Sequence, residues 1–95
     1  MNQVVLTALI AEASPLRYTP AGLPALDLRL EHESEVLESG QRRQVKAAVK
    51  AVAIGSVAET LVRQPIGSPR TFTGFLATPR NGKHPVLHIQ SFESA

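Results

Sequence analysis

The chain has 95 residues, too few to build two hydrophobic cores, so it is read as one domain spanning 1–95. Hydrophobic residues at 43% and charged residues at 19% exclude a disordered chain, and three Phe, one Tyr and no Trp predict an aliphatic core. A net charge of +2 permits a polyanionic partner without requiring one, and the absence of cysteine excludes disulfides, thiolate zinc sites and thiol nucleophiles.

Val4 to Ala13 reads as the first strand, aliphatic on both faces and ended by Ser14-Pro15. Its apolar run superficially resembles a signal core, but it lacks a positive leader and stops at Glu12. No run approaches the roughly 20 apolar residues of a membrane span, so a soluble cytoplasmic protein with no membrane contact is expected. Leu16 to Gly22 is expected as a loop that carries Arg17 and Tyr18.

Leu23 to Ser34 is the second strand and the stretch around which the others are placed. Leu26, Leu28 and Leu30 alternate with Asp27, Arg29 and Glu31, a period of two that puts leucines on one face and charges on the other. Glu35 to Gln41 is expected as a turn region because it contains Ser39-Gly40. Arg42 to Ile54 returns as the third strand, half-exposed where it begins and buried on both faces where it ends.

Gly55 breaks that strand. Ser56 and Glu59 have the spacing of a capping box, which predicts a short helix over Val57 to about Val62 with Val57 and Leu61 on its buried face. Gln64 to Pro69 is a loop, with two prolines and a glycine. Arg70 to Leu76 is the fourth strand, in which Gly74 signals a bulge or a close backbone approach. Thr78 to His84 holds Asn81-Gly82, a hairpin signal, before a fifth strand from Val86 to Phe92 and a short tail. An all-β fold follows: five strands with a helical segment between the third and fourth, the order of an OB-fold barrel. An SH3-like barrel is the competing architecture.

Charge is unevenly distributed. Glu31, Glu33, Glu35 and Glu38 precede the Ser39-Gly40 turn, and Arg42, Arg43, Lys46 and Lys50 follow it, so an antiparallel pairing would set opposite charges side by side. Those basic residues either track phosphates or simply balance the facing acids. No acid lies between Arg63 and Glu93, which leaves Arg80, Lys83 and His84 on the loop between the last two strands as the most electropositive part of the chain. Among the aromatics, Tyr18 falls in a loop where a base could stack, whereas Phe72, Phe75 and Phe92 sit in strand patterns and are expected in the core.

Enzyme motifs are missing: there is no phosphate-cradling glycine loop, no nucleophile elbow and no paired carboxylates in a catalytic setting. His84 and His88 would form a metal pair on a helix, but a strand separates them by about 13 Å. No catalytic residue, metal or cofactor is expected.

Pro15-Leu16-Arg17, Pro20-x-Gly22-x-Pro24, Leu30-Glu31-His32-x-Ser34, Arg43-Gln44, Gly55, Gly67-Ser68, Gly74-Phe75, Asn81-Gly82 and Val86-Leu87-His88 occur in an order and spacing that covers nearly the whole chain. In this the sequence resembles the primosomal replication protein N family, the B proteins of the replication-restart primosome and short relatives of bacterial single-stranded DNA-binding proteins. The resemblance implies an OB-fold homodimer that pairs its first strands and has no catalytic activity. It also implies binding to single-stranded DNA, stimulation of the restart helicase and handover to a helicase-loading partner. Carried over by position, the DNA surface would include Arg17, Arg42, Arg43, Lys46, Arg80 and Lys83, to which the residue reading adds Tyr18 and His84. Better-known members carry aromatic residues where this chain has Gln41 and Lys46, and a basic residue where it has Glu33. The second reading is a protein-interaction adaptor that contacts DNA only incidentally. A third, a general single-strand coating protein, would be expected to add a long acidic tail, which Glu93-Ser94-Ala95 does not resemble.

Overall fold

A computed structural model describes all residues, Met1 to Ala95. In chain order the elements are β1 (Val4–Ala13), β2 (Arg17–Tyr18), β3 (Pro24–Glu38), β4 (Gln41–Ile54), α1 (Ser56–Leu61), β5 (Pro69–Ala77) and β6 (Val86–Ser94). The sheet runs β1-β5-β6-β4-β3-β2 and closes through β1 against β3, so the five long strands form the barrel of an OB-fold and β2 is a two-residue addition at its edge.

Closure depends on β1 serving two partners. Its first half, Val4 to Leu9, pairs with β5, and its second half pairs with β3 from Leu9 opposite Glu31 to Ala13 opposite Leu28. A register shift between Ile10 and Glu12 bends the strand between them, as a bulge at a barrel corner does. The leucines of β3 point inward as their alternation predicts: Leu26 and Leu30 are fully buried, and they share the core with Ile10, Phe72, Leu87 and Leu61. The short parallel match of Ala51–Ala53 with Leu87–Ile89 joins β4 to β6 and completes the Greek-key path.

Several boundaries differ from the sequence reading. The second predicted strand does not stop at Ser34, because β3 runs on to Glu38. Its pairing with β4 is unbroken from Ala25–Ile54 to Glu38–Gln41, so the expected turn region shrinks to Ser39 and Gly40. Both have positive φ, 52° and 77°, which matches the strand twist and needs no longer loop. The segment expected as a loop before β3 contains β2, paired to Ala25 and Pro24. The helix is capped by Gly55 at φ 92°, not by Ser56. Ser56 lies inside the first turn, no side chain caps the end, and Ala58 and Leu61 form the buried face, with Val57 only partly covered. Asn81-Gly82 is not a two-residue hairpin. Eight residues separate Ala77 from its partner Val86, and the Gly82 amide donates to the Pro79 carbonyl, a turn that places glycine last, where it is favoured, with no positive φ among its central residues. The expected tail is also shorter, since Glu93 and Ser94 pair with Thr71 and Arg70.

Candidate nucleic-acid interface

The outward faces of the barrel strands can be read from the register. With Leu26, Leu28 and Leu30 inside, Asp27, Arg29, Glu31 and Glu33 point out from β3, and their partners Val52, Lys50, Ala48 and Lys46 point out from β4. On the next strands His88 lies beside Val52, and Phe75 lies opposite His88. One row therefore crosses the outer surface: Phe75, His88, Val52, Asp27.

Phe75 and His88 are the feature of that row which sequence reasoning missed. Their rings are stacked, with centroids 4.9 Å apart and planes 11° from parallel, and both side chains are only partly buried. Phe72 is fully buried and Phe92 is partly buried against the core, as expected, but Phe75 faces outward. Gly74 makes the stack possible. It sits at a register shift, where an added Cβ would collide with the His88 carbonyl, so the bare backbone lets β5 close onto β6 beside the ring pair. The available signal was the period of two along β5: with Phe72 and Gly74 facing inward, Phe75 faces outward, and the extra residue at the register shift is Gln90 on β6. Val52, Ile54, Val57 and Gln90 border the depression alongside.

The loop from β5 to β6 rises from the end of this row and carries Arg80, Lys83 and His84, all exposed and none bonded to an acid. Of the ten Lys and Arg residues, Arg17, Arg29, Arg42 and Arg43 have a carboxylate within 4.0 Å, leaving six without one. Lys50 is one of the six and points out from β4 one outward position before Val52. Arg70 is also unpaired with acid, but its guanidinium is held by Gln64 Oε1 at 2.8 Å.

Arg17 reaches this surface differently. Its Nε donates to Asp27 Oδ2 at 2.7 Å and its Nη2 to Oδ1 at 3.1 Å. Hydrogen bonding from Arg17 holds the Asp27 carboxyl below its ordinary range, against the opposing effect of partial burial, and the same contact raises the Arg17 value further. Tyr18, the next residue, projects to the other side of β2. It is 67% exposed, but it does not share the Phe75–His88 face.

The remaining predicted residues lie elsewhere. Arg42 bonds Glu35 at 3.1 Å and Arg43 bonds Glu38 at 2.7 Å, both near the tip of the β3–β4 ribbon that extends beyond the barrel. Strand rise puts Arg42 about 30 Å from Val52 along β4. Lys46 lies between, opposite Glu33, on the rim of a cleft of about 590 Å³ where β1 and β3 diverge. There His32 of β3 ties the two strands together through Thr7 O at 2.6 Å, and Ser34 Oγ of its own strand holds the other ring nitrogen at 2.8 Å. Arg17, Arg80, Lys83 and His84 thus belong to one surface or its rim, Arg42 and Arg43 to another, and Lys46 to the ground between them.

The family model described as "another single-strand binding protein family" matches residues 2–91. The chain is 46% identical over 91 residues to replication restart protein PriB of Bordetella pertussis, an alignment that covers 95% of this chain and 85% of that protein. Among solved structures, PriB of Ralstonia solanacearum is similar with a TM-score of 0.90 and 34% identity, covering 99% of this chain and 97% of the other. The single-stranded DNA binding protein of Thermus aquaticus is similar with a TM-score of 0.78 and 26% identity, over 98% of this chain and 49% of that longer one.

Proposed function

The chain belongs to the family of replication restart protein PriB, and on that premise we propose that it binds single-stranded DNA, without catalysis, as an accessory of the replication-restart primosome. One observation carries the reading: a half-exposed ring stack, Phe75 on His88, lies at the foot of a loop whose Arg80 and Lys83 have no acidic partner. Sequence-tolerant binding of single strands combines such stacking with an electropositive path for the backbone. Lys50 extends the path across the face, Arg17 adds its free N–H groups beside it although Asp27 neutralises its charge, and His84 adds a donor on the loop.

A homodimer fits the same reading. The edge of β1 from Val4 to Ala8 that faces away from β5 has no partner strand, and Val5 is exposed beside it. Antiparallel pairing with the first strand of a second copy would satisfy that edge. The wider role is contact with the restart helicase, stimulation of it, and handover of the strand to the helicase-loading protein in the cytoplasm.

Fluorescence anisotropy with labelled oligothymidylate tests the reading. Affinity should fall as salt rises, with a logarithmic slope of about 0.7 for each phosphate bound. Absence of binding at low salt would overturn it. The adaptor reading has its own support in the ribbon, where paired charges flank Leu37, 75% exposed at the tip. Changing Arg80 and Lys83 to Glu separates the two: lost DNA binding with helicase binding kept favours the first, and little functional change favours the second.

A further inference from the structure

Asp27 is the acid that an interface for a polyanion should avoid. It points outward from β3 in the same row as Phe75, His88 and Val52, where its charge would repel a phosphate. Yet it is the residue to which the β1–β3 connection is most heavily tied. Its backbone carbonyl accepts from the Ser14 amide at 2.9 Å, and its carboxylate takes two hydrogen bonds from Arg17. No other ion pair in the chain has this two-point geometry on one carboxylate. Between those anchors Leu16 packs against the core, and beyond them β2 pairs with only two residues of β3.

We propose that Asp27 is a positioning residue of the DNA interface, latching the Ser14–Tyr18 segment onto β3 and fixing the Arg17 guanidinium on the outer face. This rests on the single-stranded DNA reading above. The fork occupies Nε–H and one hydrogen of Nη2, so three of the five guanidinium N–H groups remain free in a set plane for a phosphate or for the face of a base. A free arginine would have to give up rotamer freedom when DNA arrives, whereas this one has already done so on folding. The acid then raises affinity through its partner while that partner cancels its charge.

The sign of one substitution decides. Simple electrostatics predicts that D27N, by removing a negative charge, binds DNA as well as the wild type or better. The latch predicts weaker binding, by about two- to fivefold, the span of an exposed ion pair. R17A should weaken binding similarly, and the R17A/D27N double variant should be no worse than R17A alone, because both act through the same pair. All are measured by anisotropy on the same labelled oligothymidylate at one salt concentration. Amide hydrogen exchange supplies a readout without DNA: D27N should lose protection at Ser14 and in β2 while the barrel strands keep theirs. Equal or tighter binding by D27N, or unchanged exchange in that segment, overturns the latch. If the wild type itself does not bind, the DNA reading falls and the affinity half of the proposal with it, while the exchange result still decides whether Asp27 holds the loop.

Discussion

The barrel face and the distal ribbon use the same residue types to different ends. On the ribbon, arginines and glutamates neutralise one another across a long regular ladder, as Arg42 does with Glu35 and Arg43 with Glu38. On the face, Arg80, Lys83 and Lys50 have no carboxylate within 4.0 Å, and a ring stack lies between the loop and Lys50. A polyanion responds to the field left after local pairing, not to the number of basic residues in a strand. We therefore propose the β5–β6–β4 face as the DNA surface and regard the ribbon as a nearly neutral arm with an apolar tip.

The largest effect should come from the packing beneath the face. Phe72 is fully buried where β5 crosses the core, so Phe72→Ala should cost about 3–5 kcal/mol in denaturant unfolding. Leu37→Ala at the ribbon tip should change stability by less than about 0.5 kcal/mol, because it removes almost no burial. A large cost for Leu37 would mean that the tip is covered in solution and that the ribbon is not a free arm.

Next in size is the loss of the ring stack. Phe75→Ala should weaken oligothymidylate binding by about 1–3 kcal/mol, the worth of one stacked base, with far less effect on stability than Phe72→Ala has. Unchanged affinity, measured by anisotropy at low salt, would remove the face from the interface. Charge reversal follows. Arg80→Glu with Lys83→Glu should reduce affinity at least about tenfold at low salt and flatten the salt slope by roughly 0.7 for each phosphate no longer neutralised. Arg42→Glu with Arg43→Glu should have a clearly smaller effect. If the ribbon pair matters as much, its ion pairs open when DNA arrives and the two regions are not distinct.

Much of this contrast was legible in the sequence. The leucine alternation of Leu26 to Leu30 located the core face through its period of two, and the facing runs of Glu and Arg showed that opposite charges would meet across the ribbon while leaving open whether its arginines track phosphates. The acid-free stretch around Arg80 and Lys83 pointed to the exposed loop for the same local reason. What sequence could not give was the register in which β5 pairs with β6. Phe75 meets His88 on the loop side of the register shift, between residues thirteen positions apart in sequence, and the eight-residue loop between the strands leaves that pairing unspecified. The Gly55 cap was hidden in a similar way: a serine and glutamate at capping-box spacing are outweighed when the preceding glycine takes a φ that other residues avoid.

The smallest effect is expected from pH, and its sign follows from the Arg17–Asp27 pair. Arg17 holds the Asp27 carboxyl below its ordinary value, so the pair stabilises the folded chain above the unfolded carboxylate value of about 3.9, and this contribution fades as pH falls through the lower folded value. Arg17, raised further by the same interaction, stays charged throughout. The stability difference between the wild type and Asp27→Asn, read from urea midpoints, should therefore be flat from pH 8 to about pH 5 and shrink below about pH 4. The surrounding water keeps it small, since both side chains are about half exposed. A difference that vanished between pH 8 and pH 6 would show that the Arg17–Asp27 pair does not carry it.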